Sequence, residues 1–362
     1  MKIIYLIMIP TFVIAYMARI FKSKGKNRKP NMLLSIILVS IFVLVSGLRS
    51  GLGDTWAYVN TYSHIGPETD IFKSSYEAGF MLFLIFLKKF SSDPQFMIFI
   101  TAAITNILNI WLIRKYSEDS YFELSIFMYI AAGTYVVTMN GIRQCLVASL
   151  IFASTILIIK RKLISYCIVI LLLSTIHSSA LIMIVVYFIA IKEAWSKDII
   201  KVIILFLVCM ILYEPLMNII FGILGNSKFG QYKDFNEGGA NILRIAVSGV
   251  PVFLAFIKRD ILKDKWKNSN IFINISLVNF IIMSFSYFNW IFARFNIYTQ
   301  IYSIVLLPYI IKNCFPNNKE RRLLYYSLIV AYFIYFYFET ISGDVVYRSN
   351  FNILNLFYYI SN

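Results

Sequence analysis

The sequence predicts an all-α polytopic integral membrane protein, and three observations lead to this fold class. Of its 362 residues, 59% are hydrophobic and only 14% are charged. The mean hydropathy is +0.73, whereas soluble domains are nearer half apolar and a quarter charged. Apolar runs also recur along the whole chain. If each span with its connection takes about 30 residues, the chain holds about 12 transmembrane helices, in a range of about 11 to 14.

The predicted spans follow one another in a single integral membrane domain, residues 1–362. The first run is too long for a signal-peptide core and lacks a suitable cleavage site, so we expect an uncleaved helix. Two polar segments, 49–94 and 214–240, are predicted to be the larger extracytoplasmic loops. The twelve predicted spans are 3–21, 32–48, 95–113, 122–139, 142–159, 163–176, 178–191, 199–213, 241–257, 271–289, 295–311 and 323–338.

The apolar stretch 80–87 decides the predicted topology, because it is short for a span. If it does not cross and Met1 lies outside, the loops on the inside carry most of the 34 basic residues. If it crosses, the basic segments 160–162 and 258–268 face outward, against the positive-inside rule. The sequence therefore favours twelve spans with both termini outside. The inside loops are then 22–31, 114–121, 160–162, 192–198, 258–268 and 312–322.

Composition and motifs exclude several functions. The net charge is +16, but the basic residues form short clusters between apolar runs, as in cytoplasmic loops, so nucleic acid is not an expected partner. No metal-ligand cluster or nucleotide-binding motif is present, and no cofactor is predicted. The Gly51-Leu52-Gly53-Asp54 string matches the GxGD motif of intramembrane aspartyl proteases. That chemistry needs a second aspartate inside a membrane helix, which the sequence lacks.

The polar segment after the second span carries the first candidate functional residues. Arg49 lies where that helix reaches the surface, and Asp54 follows five residues later. Tyr58 and Tyr62 share one helix face, and Glu77 comes next. In so apolar a chain, this combination indicates a site that faces the outside of the cell. Each carboxylate has a structural alternative, since Asp54 suits a helix N-cap and Glu77 suits a helix start.

Two arginines and one histidine complete the candidates. Arg143 precedes a helix, and Arg294 lies in an otherwise apolar region, where a charge needs a partner or an anionic ligand. The guanidinium fork suits two phosphate oxygens. The alternatives are snorkelling to lipid headgroups for Arg143 and an internal ion pair for Arg294. His177 can accept a proton near neutral pH, or it can be a packed histidine bonded to its serine neighbours.

These motifs, in this order, resemble the EpsG-like family of Wzy-type polysaccharide polymerases, over roughly residues 40–310. Two pieces depart from the pattern. Ala78 replaces the proline of the family's Glu-Pro-Gly-Phe form, and the stretch 345–348 matches only loosely. The matching pieces are Leu48-Arg49-Ser50, Gly53-Asp54-Thr55 with Tyr58, Tyr76-Glu77 with Gly79-Phe80, Gly141-Ile142-Arg143-Gln144, His177-Ser178-Ser179-Ala180-Leu181, and Arg294 with Tyr298.

The resemblance implies a GT-C-like glycosyltransferase in the bacterial cytoplasmic membrane, with its active site facing the periplasm or outside. Its donor and acceptor are oligosaccharides on undecaprenyl diphosphate. The growing glycan moves to the non-reducing end of the next repeat unit of an O-antigen, capsule or exopolysaccharide. Membrane lipids and a chain-length regulator protein are the other candidate partners.

This chemistry assigns a role to each candidate residue. Guanidinium groups stabilise a departing diphosphate, a base deprotonates the acceptor hydroxyl, and aromatic faces pack on sugar rings. The candidates are Arg143, Arg294 and Arg49 for the diphosphate, His177, Asp54 and Glu77, in that order, for the base, and Tyr58, Tyr62 and Gln144 for the glycan.

Two other functions use the same lipid-linked donor. A flippase would line a path through the bilayer with charges on several helices. The middles of the predicted spans are nearly free of charge, which favours a one-sided active site. An O-antigen ligase that transfers finished glycan shares the donor, so the sequence does not separate it from a polymerase.

Overall fold

Apolar residues fill most of the chain, and they fold into α-helices that satisfy their own backbone hydrogen bonds, as lipid requires. The computed structural model describes residues 1–22, 29–224, 238–342 and 346–351. It also contains 3₁₀ segments at Ser178–Leu181 and Trp290–Tyr298 and two antiparallel strands, β1 (Arg49–Gly51) and β2 (Arg348–Ser349). The helices are α1 (Lys2–Ile20), α2 (Met32–Gly47), α3 (Thr55–His64), α4 (Ala78–Lys88), α5 (Pro94–Tyr116), α6 (Phe122–Ala131), α7 (Thr134–Asn140), α8 (Ile142–Ala153), α9 (Thr155–Ile159), α10 (Leu163–Ser174), α11 (Ile182–Ala190), α12 (Lys197–Ile211), α13 (Tyr213–Leu224), α14 (Ile242–Ile257), α15 (Arg259–Lys265), α16 (Ser269–Phe285), α17 (Gln300–Asn313) and α18 (Asn318–Ser342).

The nearly all-α membrane fold is confirmed, but the number of spans is not. By length and composition, 4 helices within the described ranges can cross a membrane, namely α1, α5, the continuous stretch α8–α9 and α18. Two bent pairs, α6–α7 and α12–α13, raise this number to 6. The other apolar helices have 10–17 residues. At about 1.5 Å per residue they fall short of a hydrocarbon core of about 30 Å, so the twelve-span count stays a prediction.

Several predicted boundaries differ from the structure. The span 122–139 is interrupted at Gly133, whose φ of 80° suits glycine, and α6 and α7 meet there at 48°. The span 295–311 begins within the 3₁₀ segment Trp290–Tyr298, whose start is capped by the Asn289 side chain, which accepts from the Ile291 N–H at 2.9 Å. The expected loop 214–240 begins as α13, and its residues 225–237 lie outside the described residues.

The segment 49–94 is a folded cap rather than an open loop. It contains β1, α3 and α4, and a small apolar cluster packs these helices on the starts of α5 and α8. Tyr62, Phe80 and Leu84 in this cluster have no exposed surface. Helix α4 has 11 residues and is about 16 Å long. Several helices that were predicted to span are also short, so the expectation that 80–87 does not cross stays a prediction.

Burial separates interior helices from peripheral ones. Helices α6 and α17 are buried almost throughout, and they pack with α5, α8 and α16. Large apolar side chains on α12, α14 and α18 remain exposed, as expected of helices whose outer face contacts lipid. The bundle therefore has a continuous core, and the 49–94 cap covers one end of it.

Two ion pairs tie distant helices together. The fully buried Glu123 of α6 accepts from Arg19 Nε at 2.6 Å and from the Tyr325 hydroxyl at 3.2 Å, which joins α1, α6 and α18. Arg244 Nη2 lies 2.6 Å from Glu339 Oε2, which joins α14 to α18. Buried charges need such partners, because an unpaired charge away from water is expensive.

Candidate functional site

A polar cluster lies where α4, α8 and α10 approach one another. Glu77 directly precedes α4, Arg143 lies in the first turn of α8, and His177 and Ser178 follow α10. The Glu77 carboxylate accepts a hydrogen bond from the Arg143 guanidinium. It also accepts from the Ser178 N–H and hydroxyl, both at 2.9 Å. Three predicted site residues from separate parts of the chain thus meet at one carboxylate.

His177 lies beside this carboxylate without a hydrogen bond to it. Its Nδ1 atom is 3.6 Å from Glu77 Oε1, which is within ion-pair range and beyond hydrogen-bonding distance. The imidazole is about four-fifths buried, with 19% of the side chain exposed. Nδ1 is buried and has no hydrogen-bond partner among the described residues. The histidine is therefore packed into the site, and it does not make the serine hydrogen bonds of the structural alternative.

A close backbone approach fixes Glu77 in this position. The Gly79 N–H donates to the Thr175 carbonyl oxygen at 2.8 Å, which docks the start of α4 on the end of α10. A Cβ atom at position 79 would lie 2.7 Å from that oxygen and closer still to the Thr175 hydroxyl. Only glycine permits this approach. The Gly-Phe step noted in the sequence thus positions the preceding carboxylate.

Aromatic rings hold the Arg143 guanidinium from the other side. Its Cζ atom lies 4.5 Å from the centre of the Tyr76 ring and 5.8 Å from that of Phe80. Tyr76 stacks in turn on Tyr58, with centroids 5.6 Å apart and planes 13° apart. Cation–π contacts of this kind favour a fixed guanidinium. Arg143 Nε is buried and has no hydrogen-bond partner in the described part of the chain.

The surroundings of Glu77 set its charge. Partial burial raises the pKa of the carboxyl group, but the His177 imidazole, the Ser178 backbone N–H and the Arg143 charge together outweigh it. The pKa of Glu77 is lowered to about 2. The group is therefore ionised at neutral pH, and in this arrangement it is a weak base for a hydroxyl proton.

The segment around Arg294 packs beside the same cluster. Gln144 Nε2 donates to the Arg294 carbonyl oxygen at 2.7 Å, and the Tyr298 and Ser179 hydroxyls are 2.8 Å apart. The Arg294 side chain is exposed. It has no hydrogen-bond or ion-pair partner among the residues that the structure describes. The internal ion pair considered for Arg294 is thus not found within those residues.

Arg49 and Asp54 lie apart from the cluster. The Arg49 side chain is 1% exposed and is bound by the Ser46 carbonyl oxygen and by Thr55 Oγ1, the latter at 3.3 Å. Asp54 is exposed just before α3, but its side chain makes no capping hydrogen bond. Its N–H donates to Asn140 Oδ1 at 2.8 Å. Arg49 therefore supports the fold beneath the cap, and Asp54 lies at the cap surface.

The three predicted glycan contacts have different surroundings. Tyr58 is 6% exposed and packs under Tyr76. Tyr62 has no exposed surface, and its hydroxyl donates to the Ser91 carbonyl oxygen at 2.7 Å within the cap. Gln144 is 8% exposed and spans from α8 to the Arg294 backbone. Tyr58 and Gln144 are thus packing and bridging residues beside the site, and Tyr62 is a packing residue of the cap.

Sequence reasoning missed Tyr76 and Ser178 as parts of the site, although both adjoin residues that it identified. Their signal was the motif itself, since Tyr76-Glu77 and His177-Ser178 are both among the pieces that carry the family resemblance. A small cavity of about 20 Å³ lies between α5, α7, α8, α17 and the 3₁₀ segment Trp290–Tyr298, and it has room for water but not for a sugar. Among the described residues, no three His, Cys, Asp or Glu side chains are grouped so that they can share a metal ion.

The chain was compared with known families, curated proteins and solved structures. The model of the EpsG family matches residues 32–357, which is most of the chain. No match was found among the curated proteins or among the solved structures. The matched range contains the cap, the cluster around Glu77 and the Arg294 segment.

Proposed function

The chain belongs to the EpsG family, and this membership suggests a polysaccharide polymerase-type role. We propose that the protein polymerises lipid-linked oligosaccharide repeat units. The growing glycan passes from undecaprenyl diphosphate to the non-reducing end of the next unit, on the outer face of the bacterial cytoplasmic membrane. The proposal includes twelve spans in a GT-C-like arrangement with both termini outside.

The observation that carries this proposal is the meeting of Glu77, Arg143 and His177 at one end of the bundle. A diphosphate leaving group gains negative charge as the sugar–oxygen bond breaks, and a fixed guanidinium stabilises it. Arg143 is held for this role by Tyr76 and Phe80. Arg294, exposed on the adjoining segment, supplies the second guanidinium.

His177 is the best of the candidate bases in this arrangement. It lies beside the position of the Glu77 carboxylate, and a negative group at that position favours the imidazolium that forms when the histidine takes the acceptor hydroxyl proton. The new bond joins that hydroxyl oxygen to the anomeric carbon of the donor sugar, and the diphosphate leaves with the bonding electron pair. Arg49 and Tyr62 are too deeply buried to touch substrate and act as supports.

The test is polymerisation by the purified full chain in detergent, with a synthetic undecaprenyl-diphosphate repeat unit and no nucleotide. The wild type should produce a ladder of glycan lengths. Arg143→Lys should lower the rate by roughly 10²–10³-fold, because one ammonium cannot replace a planar donor pair. Arg244→Lys is the matched control, because Arg244 pairs with Glu339 away from the site, and this variant should retain activity.

Two outcomes would replace the proposal. A gene-deletion strain that accumulates repeat units on the cytoplasmic face of the membrane would indicate a flippase. A purified protein that transfers a finished glycan to a lipid or protein acceptor, without extending it, would indicate a ligase.

A further inference from the structure

The Glu77 carboxylate is bound by a set of hydrogen-bond donors of the kind that also binds phosphate groups. It contacts a guanidinium, a backbone N–H and a hydroxyl, with an imidazole 3.6 Å away. Phosphate oxygens and carboxylate oxygens are recognised by the same charge-assisted donors. The donors belong to Arg143, Ser178 and His177, and they lie on elements other than the one that carries Glu77.

Two buried atoms of these donors remain unused. Arg143 Nε and His177 Nδ1 have no hydrogen-bond partner among the described residues, although buried polar atoms are normally paired. One carboxylate has two oxygens, and Oε1 already accepts both Ser178 bonds while Oε2 accepts the bond from Arg143. A diphosphate offers more oxygens, so it can engage donors that Glu77 leaves unpaired.

We propose that Glu77 is an internal, displaceable ligand that fills the anion site until the diphosphate of the substrate takes its place. This inference rests on the proposed function, which supplies the diphosphate. The Glu77 side chain is 24% exposed and that of Arg143 is 16% exposed, so the site is open enough for exchange. Glu77 thereby lowers the apparent affinity for any anion that reaches Arg143.

The exchange also explains why a strongly paired carboxylate lies in a site for an anionic substrate. Without Glu77, the Arg143 guanidinium would stand partly buried and unpaired before substrate arrives, which is costly. Once displaced, Glu77 no longer has those donors, and its pKa returns toward the ordinary value of a glutamate. The resting site is therefore stable, and the substrate-filled site has a free carboxylate beside it.

The test measures binding of inorganic pyrophosphate to the purified full chain in detergent by calorimetry. Glu77→Gln removes the competing charge and should bind pyrophosphate about tenfold more tightly than the wild type. Glu77→Asp keeps the charge but shortens its reach, and it should bind about threefold more tightly. Arg143→Ala should abolish binding in either background. Glu339→Gln breaks the Arg244 pair and, as the matched control, should bind like the wild type.

Weaker or unchanged binding by both Glu77 variants would overturn the inference and leave the Glu77–Arg143 contact as a structural tie. The Asp variant decides the question if the Gln variant does not fold. Repeating the titration with undecaprenyl diphosphate tells whether the site takes a free or a lipid-borne diphosphate. If the Glu77 variants bind pyrophosphate more tightly but the wild type builds no glycan ladder, the proposed function fails and the displaceable ligand stands. If the wild type builds a ladder and the affinity does not change, the proposed function stands and the displaceable ligand fails.

Discussion

At the scale of single residues, Glu77 is held by more donors than a helix start requires. Three hydrogen bonds and a neighbouring imidazole converge on it, and Arg143 depends on it for charge compensation. Glu77, which the sequence analysis ranked third among the three candidate bases, is thus the centre of the cluster. Its role follows from what surrounds it, because the same carboxyl group in water would titrate near its ordinary value.

The ionisation of Glu77 predicts a pH dependence of stability. The folded-state pKa of about 2 lies below the ordinary value of 4.5. Its interactions therefore stabilise the fold fully above about pH 4.5 and are lost as the pH falls toward 2. Glu77→Gln should lower the melting temperature by about 2 °C at pH 7, a small effect because the pair is partly exposed.

Thermal unfolding of the full chain in detergent at pH 7, 4.5 and 3 checks this expectation. The difference in melting temperature between wild type and Glu77→Gln should become smaller between pH 4.5 and pH 3. A gap of constant size across that range would mean that the ionised carboxylate contributes nothing to stability.

At the scale of elements, the position of α4 decides whether the site forms. This short helix is anchored by the Gly79 hydrogen bond to Thr175 and by the apolar cluster of the cap. The hydrogen bond joins α4 to α10, and Glu77 crosses the same junction to reach Ser178. The site is therefore assembled by docking of elements, and not within any one of them.

Gly79→Ala should disrupt this docking. The added Cβ atom would lie 2.7 Å from the Thr175 carbonyl oxygen, which is backbone and cannot rotate away. We expect a loss of about 1–3 kcal/mol in unfolding free energy and at least a tenfold loss of polymerisation rate. Denaturation in detergent and the ladder assay measure the two effects.

Gly66→Ala is the matched control for this substitution. Gly66 is also in the cap, but apart from its chain neighbours no atom of the described residues lies within 4 Å of the position that its Cβ would take. It should leave both stability and rate nearly unchanged. Equal behaviour of the two alanine variants would show that the close approach at Gly79 is unimportant.

At the scale of the whole molecule, the cap and the Arg294 segment lie at one end of the bundle. The side of the membrane that this end faces depends on the number of helices that cross. Reporter fusions at Gly239 and Asn268 should report outside and inside, respectively, as the distribution of basic residues predicts. The reverse pattern would mean that 80–87 crosses the membrane.

The sequence by itself determined the membrane class, the nearly all-α fold, the EpsG resemblance and the identity of most polar residues in the site. The resemblance was confirmed by the family match over residues 32–357. These properties depend on composition and on local motifs, which can be read along the chain. The break at Gly133 and the 3₁₀ segment before Gln300 were missed, because a continuous apolar run does not reveal a local bend.

Only the tertiary structure decided how the candidate residues are used. Arg49, Arg143 and Arg294 look alike as arginines near helix ends, yet one is buried in the fold, one is bound to Glu77 and one is exposed. Arg49 is bound by residues close to it in the chain, whereas Arg143 binds Glu77, 66 positions away, and the Arg294 backbone is bound by Gln144, 150 positions away. Burial and pairing set the charge and reach of a side chain, and both depend on which distant helices pack against it.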